Sequence, residues 1–195
     1  MPIDFKKDQK ELYQPKTMPS IIDVPEMLFI AVDGKGNPNT SAEYAAAVGA
    51  LFGLSWTIKM SSKAVLEYVV APLEGFWNAA VITDKNNYEW TALIRQPDFV
   101  TEEIFQAAKI KKLDLDTSKA RLVRITEGLC VQAMHIGPYD DEPATIVAME
   151  RYALENGYVI DISGARRHHE IYLSDPRKVA PDMLKTVIRH PVRRI

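Results

Sequence analysis

Cysteine is nearly absent from this chain. Cys130 is the single example, so no disulfide framework can staple the fold, and its place in the apolar run 129–134 points to a buried, inert thiol in a reducing cytoplasm. Positive charge is in no excess either. Lys and Arg number 24 against 26 Asp and Glu, for a formal net charge of -2 and a pI near 6.1, which argues against the basic footprint that a nucleic-acid backbone demands. No stretch of about 18 apolar residues occurs, and the first 16 residues are charged and polar with no apolar signal core, so nothing directs the chain to a membrane. Phosphate-binding loops, dinucleotide fingerprints and nucleophile elbows are missing, and Gly34-Lys35-Gly36 is too short to cradle phosphate and reads as a turn. His168 and His169 are adjacent and point to opposite faces, with no second ligand at metal-binding spacing, so neither a metal nor a cofactor is expected.

What is present is an ordinary globular composition, 47% hydrophobic and 26% charged, at a length that suits one domain. The first 26 residues hold four prolines and a charged cluster, and read as a loosely structured lead-in to a domain over 27–195. An apolar strand over 27–32 ends at a run of turn formers. A capping box of Thr40 and Glu43 then opens a helix marked by Tyr44, Val48 and Leu51, closing near Gly53 or shortly beyond. Strands follow at 66–70 and at 78–83 or 89–94, and a connecting helix runs from Thr101 to about Leu113. The same grammar then returns: a strand over 129–136, a Gly137-Pro138 stop, a helix ending at Asn156-Gly157, strands over 158–162 and 168–173, and a last helix over 181–189. Strand, helix, strand, strand thus occurs twice, which predicts an α+β fold of two pseudo-repeats, about 27–97 and 121–176.

Period-2 geometry places His168, Glu170 and Tyr172 on one face of the last strand and His169, Ile171 and Leu173 on the other. A mid-strand carboxylate is costly to bury unless paired or protonated, so Glu170 is either simply wet on a half-exposed strand or part of a site. Trp77 and Trp90 fall at strand positions in the first repeat, as core residues or as the walls of an aromatic pocket.

Two segments carry a family likeness: His135-Ile-Gly-Pro-Tyr-Asp140 after a strand, and His169-Glu-Ile-Tyr-Leu-Ser-Asp-Pro176 near the end. Together they resemble the GyrI-like ligand-binding family over about 27–190. The resemblance implies a duplicated GyrI-like or SOUL-type α+β fold with a ligand cleft between its halves. Phe76-Trp77 and the segment 89–101 look most like the stand-alone subgroup that hydrolyses cyclopropane-bearing DNA-alkylating toxins of the duocarmycin and yatakemycin type. By that resemblance Glu170 is the pocket glutamate and general base, Tyr139 donates a hydrogen bond to the oxygen that gains charge, and Trp77, Trp90 and Tyr68 are pocket aromatics. His168 and Tyr172, flanking Glu170, complete the ligand-contacting set. Counting back from Pro97 and Pro176 matches Thr91 with Glu170.

The implied partner is a hydrophobic aromatic small molecule. The short segment before Met27 is too small for a DNA-binding helix-turn-helix, so a regulator would need a second chain. The alternatives are a pocket that sequesters or senses such compounds without changing them, and a module that docks a partner protein.

Overall fold

The computed structural model describes residues 2–78 and 85–195 and has the mixed helix and antiparallel-sheet architecture of an α+β fold. The chain divides into two compact units, residues 2–8 with 27–125, and residues 9–26 with 126–195.

In the first unit β3 (Glu89–Gln96) is the middle strand. It pairs antiparallel with the second half of β1 (Ser20–Lys35), from Leu28 opposite Gln96 to Lys35 opposite Glu89, and with β2 (Leu73–Asn78) on its other side. The long helix α3 (Ala42–Ser62) is capped by the Ser41 hydroxyl, which accepts from the Tyr44 amide, one residue later than the Thr40 capping box suggests. It does not stop at Gly53. A Cβ there would collide with the Leu115 side chain, so this glycine serves a close approach and not a helix end. The second helix, α4 (Glu102–Lys111), is capped by Thr101 as expected. Phe29, Ile30, Leu51, Leu54, Ile58, Leu93, Ile94 and Phe105 are all buried in this unit. The strand expected over 66–70 reduces to one bridge between Tyr68 and Ile3, and most of the expected 78–83 strand lies outside the described residues.

The second unit is built around β7 (Lys185–Arg194), where a helix was expected over 181–189. Pro181 starts only a single 3-10 turn, Pro181–Met183. The β-branched run Thr186-Val187-Ile188 then favours the extended chain, where its side chains pack on both faces of a sheet. β4 (Arg121–Ile136) pairs with one side of β7, and β6 (His168–Tyr172) with β5 (Tyr158–Ile160) pair with the other. Helix α5 (Glu142–Glu155) ends at Asn156-Gly157 as its punctuation predicts, and packs Met149 and Ala153 onto Val131, Ala133, Ile188 and Val192.

The order strand, helix, strand, strand therefore does occur twice, as β1-α3-β2-β3 and as β4-α5-β5-β6. The middle strand, however, is β3 in one unit and β7 in the other, so β6 occupies the place of β2. The matching of Thr91 with Glu170 fails for that reason: Thr91 lies on a middle strand and Glu170 on a flanking one.

The lead-in is structured too. Its short helices α1 (Phe5–Asp8) and α2 (Lys10–Tyr13) bury Phe5, Leu12 and Tyr13, and β1 begins at Ser20. Arg189, fully buried on β7, donates to the Leu12 carbonyl at 2.9 Å and to Gln132 Oε1, and forms an ion pair with Glu127 at 2.7 Å. Gly128, at φ +66°, interrupts the side-chain alternation of β4, and Glu127 meets both Arg189 and the His169 ring, the latter at 3.0 Å. Burial alone would raise the Glu127 carboxyl, but the charges and hydrogen bonds of His169 and Arg189 outweigh it and hold it down to about 2. Cys130 is buried as expected, and burial together with the Glu127 charge pushes its thiol up to about 12. No described helix is long and apolar enough to cross a membrane.

Replacing Arg189 by Met leaves Glu127 buried without its cation and should cost about 3–5 kcal/mol in urea unfolding at neutral pH. Because the folded-state value of Glu127 is depressed, its contribution is present above the ordinary carboxylate range and is lost as pH falls toward 2. Acid titration of the unfolding midpoint should show that loss in the wild type and a smaller one in the variant.

Candidate functional site

The face of the second unit's sheet that α5 covers is apolar along most of its length and turns polar at one end. His168, Glu170 and Tyr172 emerge there from β6, as period 2 requires, and His190 reaches the same face from β7. The Tyr172 hydroxyl donates to Glu170 Oε2 at 2.7 Å, and His168 Nε2 meets Glu170 Oε1 at 2.7 Å. His168 Nδ1 in turn contacts His190 Nε2 at 2.6 Å.

Proton placement in this chain follows from one buried atom. His190 Nδ1 has no hydrogen-bond partner among the described residues, and a proton there would bury an unpaired N–H, so the His190 proton belongs on Nε2 and is donated to His168 Nδ1. His168 then carries its proton on Nε2 and donates it to Glu170. Burial first, and the neighbouring His168 second, push the His190 imidazole down to about 3, which keeps it neutral. The Glu170 side chain is 14% exposed, so the end of this hydrogen-bonded chain is reachable by water.

The turn before α5 supplies the remaining members. His135 Nε2 donates to the Pro138 carbonyl at 3.0 Å and its Nδ1 accepts from the Thr145 hydroxyl at 2.9 Å, which ties the end of β4 to the first turn of α5. Gly137, at φ +139°, makes the reversal between them. The motif His135 to Asp140 is thus a device for aiming a turn. It sets the Tyr139 ring edge-on to Tyr172, 5.8 Å between centroids, and starts α5 at Glu142. Burial, then the carboxylates of Glu142, Glu170 and Asp175, raise the Tyr139 hydroxyl above its ordinary value, so it remains a hydrogen-bond donor.

Glu142 is buried beside Glu170. Glu142, His168 and Glu170 each bring one possible ligand atom to within 4.8 Å of the others. His168 Nε2 is already committed to Glu170 Oε1, so the cluster is a hydrogen-bonded network that a divalent cation would have to break.

The first unit gathers a separate set of aromatics. Trp77 on β2 and Trp90 on β3 are direct cross-strand partners. Tyr44 of α3 packs against both, at 6.0 Å from Trp77 and edge-on at 4.9 Å from Trp90, and Tyr88 packs against Trp77 at 5.8 Å. Trp90 lies opposite Gly34 on β1, where a Cβ would run into its indole, so the absence of a side chain at 34 is what admits the ring. The Trp90 N–H is buried with no hydrogen-bond partner among the described residues.

A family model for the GyrI-like small molecule binding domain matches residues 17–193. The chain belongs to that family. Among GyrI-like relatives of known structure, a conserved protein from Listeria innocua is 46% identical, covers 98% of this chain and 100% of its own, and superimposes with a TM-score of 0.92. A hydrolase from Listeria innocua is 45% identical over 98% of this chain and 100% of its own, with a TM-score of 0.91. The EcmrR C-terminal domain, at 12% identity over 91% of this chain and 98% of its own and a TM-score of 0.57, shares the fold alone. No curated protein matches.

Of the residues expected to form a site, Glu170, His168, Tyr172 and Tyr139 come together in the second unit of this GyrI-like chain, and Trp77 and Trp90 come together in the first. Tyr68 joins neither set. It is a core residue whose hydroxyl donates to the Ser55 carbonyl at 3.3 Å and whose ring packs against Phe99, and burial raises that hydroxyl further. Sequence reasoning missed Glu142, which read as a helix-start acid beside Pro143, and His190, which the expected 181–189 helix left outside any strand. The β-branched run Thr186-Val187-Ile188 was the available signal for the strand that carries His190.

Replacing Gly34 by Ala should displace the Trp90 ring at a cost of about 1–3 kcal/mol, the usual range for overpacking. Chemical unfolding and tryptophan fluorescence would read it, and an unchanged spectrum with unchanged stability would refute the packing account.

Proposed function

We propose that the protein is a hydrolase that adds water to an electrophilic, cyclopropane-bearing aromatic small molecule of the DNA-alkylating duocarmycin and yatakemycin type. The observation that carries this reading is Glu170: a partly water-accessible carboxyl that receives the Tyr172 hydroxyl on one oxygen and the His168 N–H on the other. A general base must be held in one orientation and within reach of water, and the two donors fix both Glu170 oxygens in place. The 45% identity to a Listeria innocua hydrolase supports the same reaction class.

In this mechanism Glu170 takes a proton from water as the water oxygen attacks the strained carbon. The carbon–carbon bond opens, its electron pair ends on the conjugated carbonyl oxygen, and Tyr139 donates a hydrogen bond to that oxygen as it gains charge.

Glu170→Gln keeps the shape and the ability to hydrogen-bond but removes the base, so it should bind the ligand normally and lose about 100-fold or more in turnover. Mass analysis of a cyclopropanoid incubated with wild type should show one added water over many turnovers. Binding without any mass gain would assign the protein to sequestration instead, and full turnover by the Gln variant would remove Glu170 from the chemistry.

A further inference from the structure

We infer that Glu142 and Glu170 form a carboxyl–carboxylate pair holding one proton between them, with Glu142 the bearer, and that this pair sets the alkaline limit of the site. The catalytic part of the inference rests on the hydrolase reading above; the proton itself does not.

The geometry points to the proton. Glu142 is 6% exposed, its Oε1 has no hydrogen-bond partner among the described residues, and one of its carboxyl oxygens lies within 4.8 Å of a Glu170 oxygen. Two carboxyls buried this close disfavour a charge on both, so one of them keeps a proton. Both Glu170 oxygens already accept, one from Tyr172 and one from His168, so the proton sits on Glu142 and Glu170 is the receiving partner.

The groups facing Glu142 agree. From β6 it meets Glu170 and His168, and from the preceding turn it meets Asp140 and Tyr139. The charges acting on it, Glu170 and Asp140, are both negative. The start of a helix normally favours an anion by a fraction of a kcal/mol, about 0.3–1. Here burial, and then repulsion from Glu170 and Asp140, win and push the Glu142 carboxyl up to about 9.

Glu142 acts in this scheme as a positioning residue. Its donated proton orients the Glu170 lone pairs and keeps the pair at a single negative charge, so the site does not have to hold a second buried anion. When water attacks, its proton moves to Glu170 and the pair briefly holds two protons. The ligand oxyanion takes the surplus as product forms, and the pair returns to one.

Infrared spectroscopy of the full-length protein in heavy water tests the proton without any turnover. The wild type at neutral pH should show the C=O band of a protonated carboxyl, which fades as pH rises through about 9 and is missing from Glu142→Gln. No such band in the wild type, or the same band in Glu142→Gln, would each overturn the pair.

Stability gives a second reading. A raised folded-state value means that wild-type stability is lost as pH climbs from the ordinary carboxylate range to about 9, and Gln has no proton to lose. The melting-temperature advantage of Glu142→Gln should therefore grow between pH 5 and pH 9, and a constant difference would count against the inference. Should Glu142→Gln fail to fold, Glu170→Gln serves: removing the partner charge should move the fading of the band to lower pH, and an unmoved titration overturns the coupling. With a turned-over ligand, the alkaline fall in rate should shift upward in Glu142→Gln. A wild type that shows the band but no turnover would retire the hydrolase reading and leave the pair standing.

Discussion

The ion pair between Arg189 and Glu127, buried on the middle strand of the second unit, is the constraint from which that unit's arrangement follows. A guanidinium with no exposure must have its donors answered, and here they are answered by Glu127, by Gln132 and by the Leu12 carbonyl. Those partners come from β4 and from the N-terminal segment, so satisfying one side chain sets the register of β4 on β7 and anchors residues 9–26 to the same unit. Once Arg189 is committed to one face, strand alternation sends Ile188 and His190 to the other. Ile188 joins the core beneath α5, and His190 reaches His168 at the head of the acidic network.

Much of this was legible in the residues. Period 2 along 168–173 correctly put His168, Glu170 and Tyr172 on one face, and Gly137-Pro138 and Asn156-Gly157 marked both ends of the segment that carries α5. The twofold order of strand, helix, strand, strand was visible in punctuation alone. What misled was Pro181. A proline followed by an acid looks like a first helical turn, and the turn does form, but three residues of local preference cannot outweigh a β-branched run whose partners lie 14 to 18 positions away on β6 and 51 to 55 away on β4. Taking β7 for a helix removed the middle strand of its unit, and with it went His190 and the correct counterpart of β6. Gly53 misled in the opposite sense: a glycine in a helix signals an end unless a neighbour needs the space, and Leu115 lies far along the chain. Glu142 was invisible as a site residue because its burial and its contact with Glu170 are tertiary facts.

The acidic network also shows why ordinary-looking residues acquire chemistry. Glu170 on a half-exposed strand in water would be unremarkable. Flanked on its own strand by a hydroxyl and an imidazole, backed by a neutral His190 and faced by Glu142, it becomes a carboxyl whose two oxygens are each held by one donor. In the first unit the equivalent economy is steric: an indole fits because position 34 has no side chain.

The place of β7 in the chain has a consequence for how the protein is made. In the first unit the middle strand, β3, follows its partners directly and is itself followed by α4. In the second unit the middle strand emerges from the ribosome after β4, α5, β5 and β6, and these elements must wait for it with open hydrogen-bonding edges and an uncovered apolar face. The second unit is therefore the one exposed to mispairing during synthesis, and its closure, joining residues 9–26 to residues 185–194, is among the longest-range events in the folding of the chain.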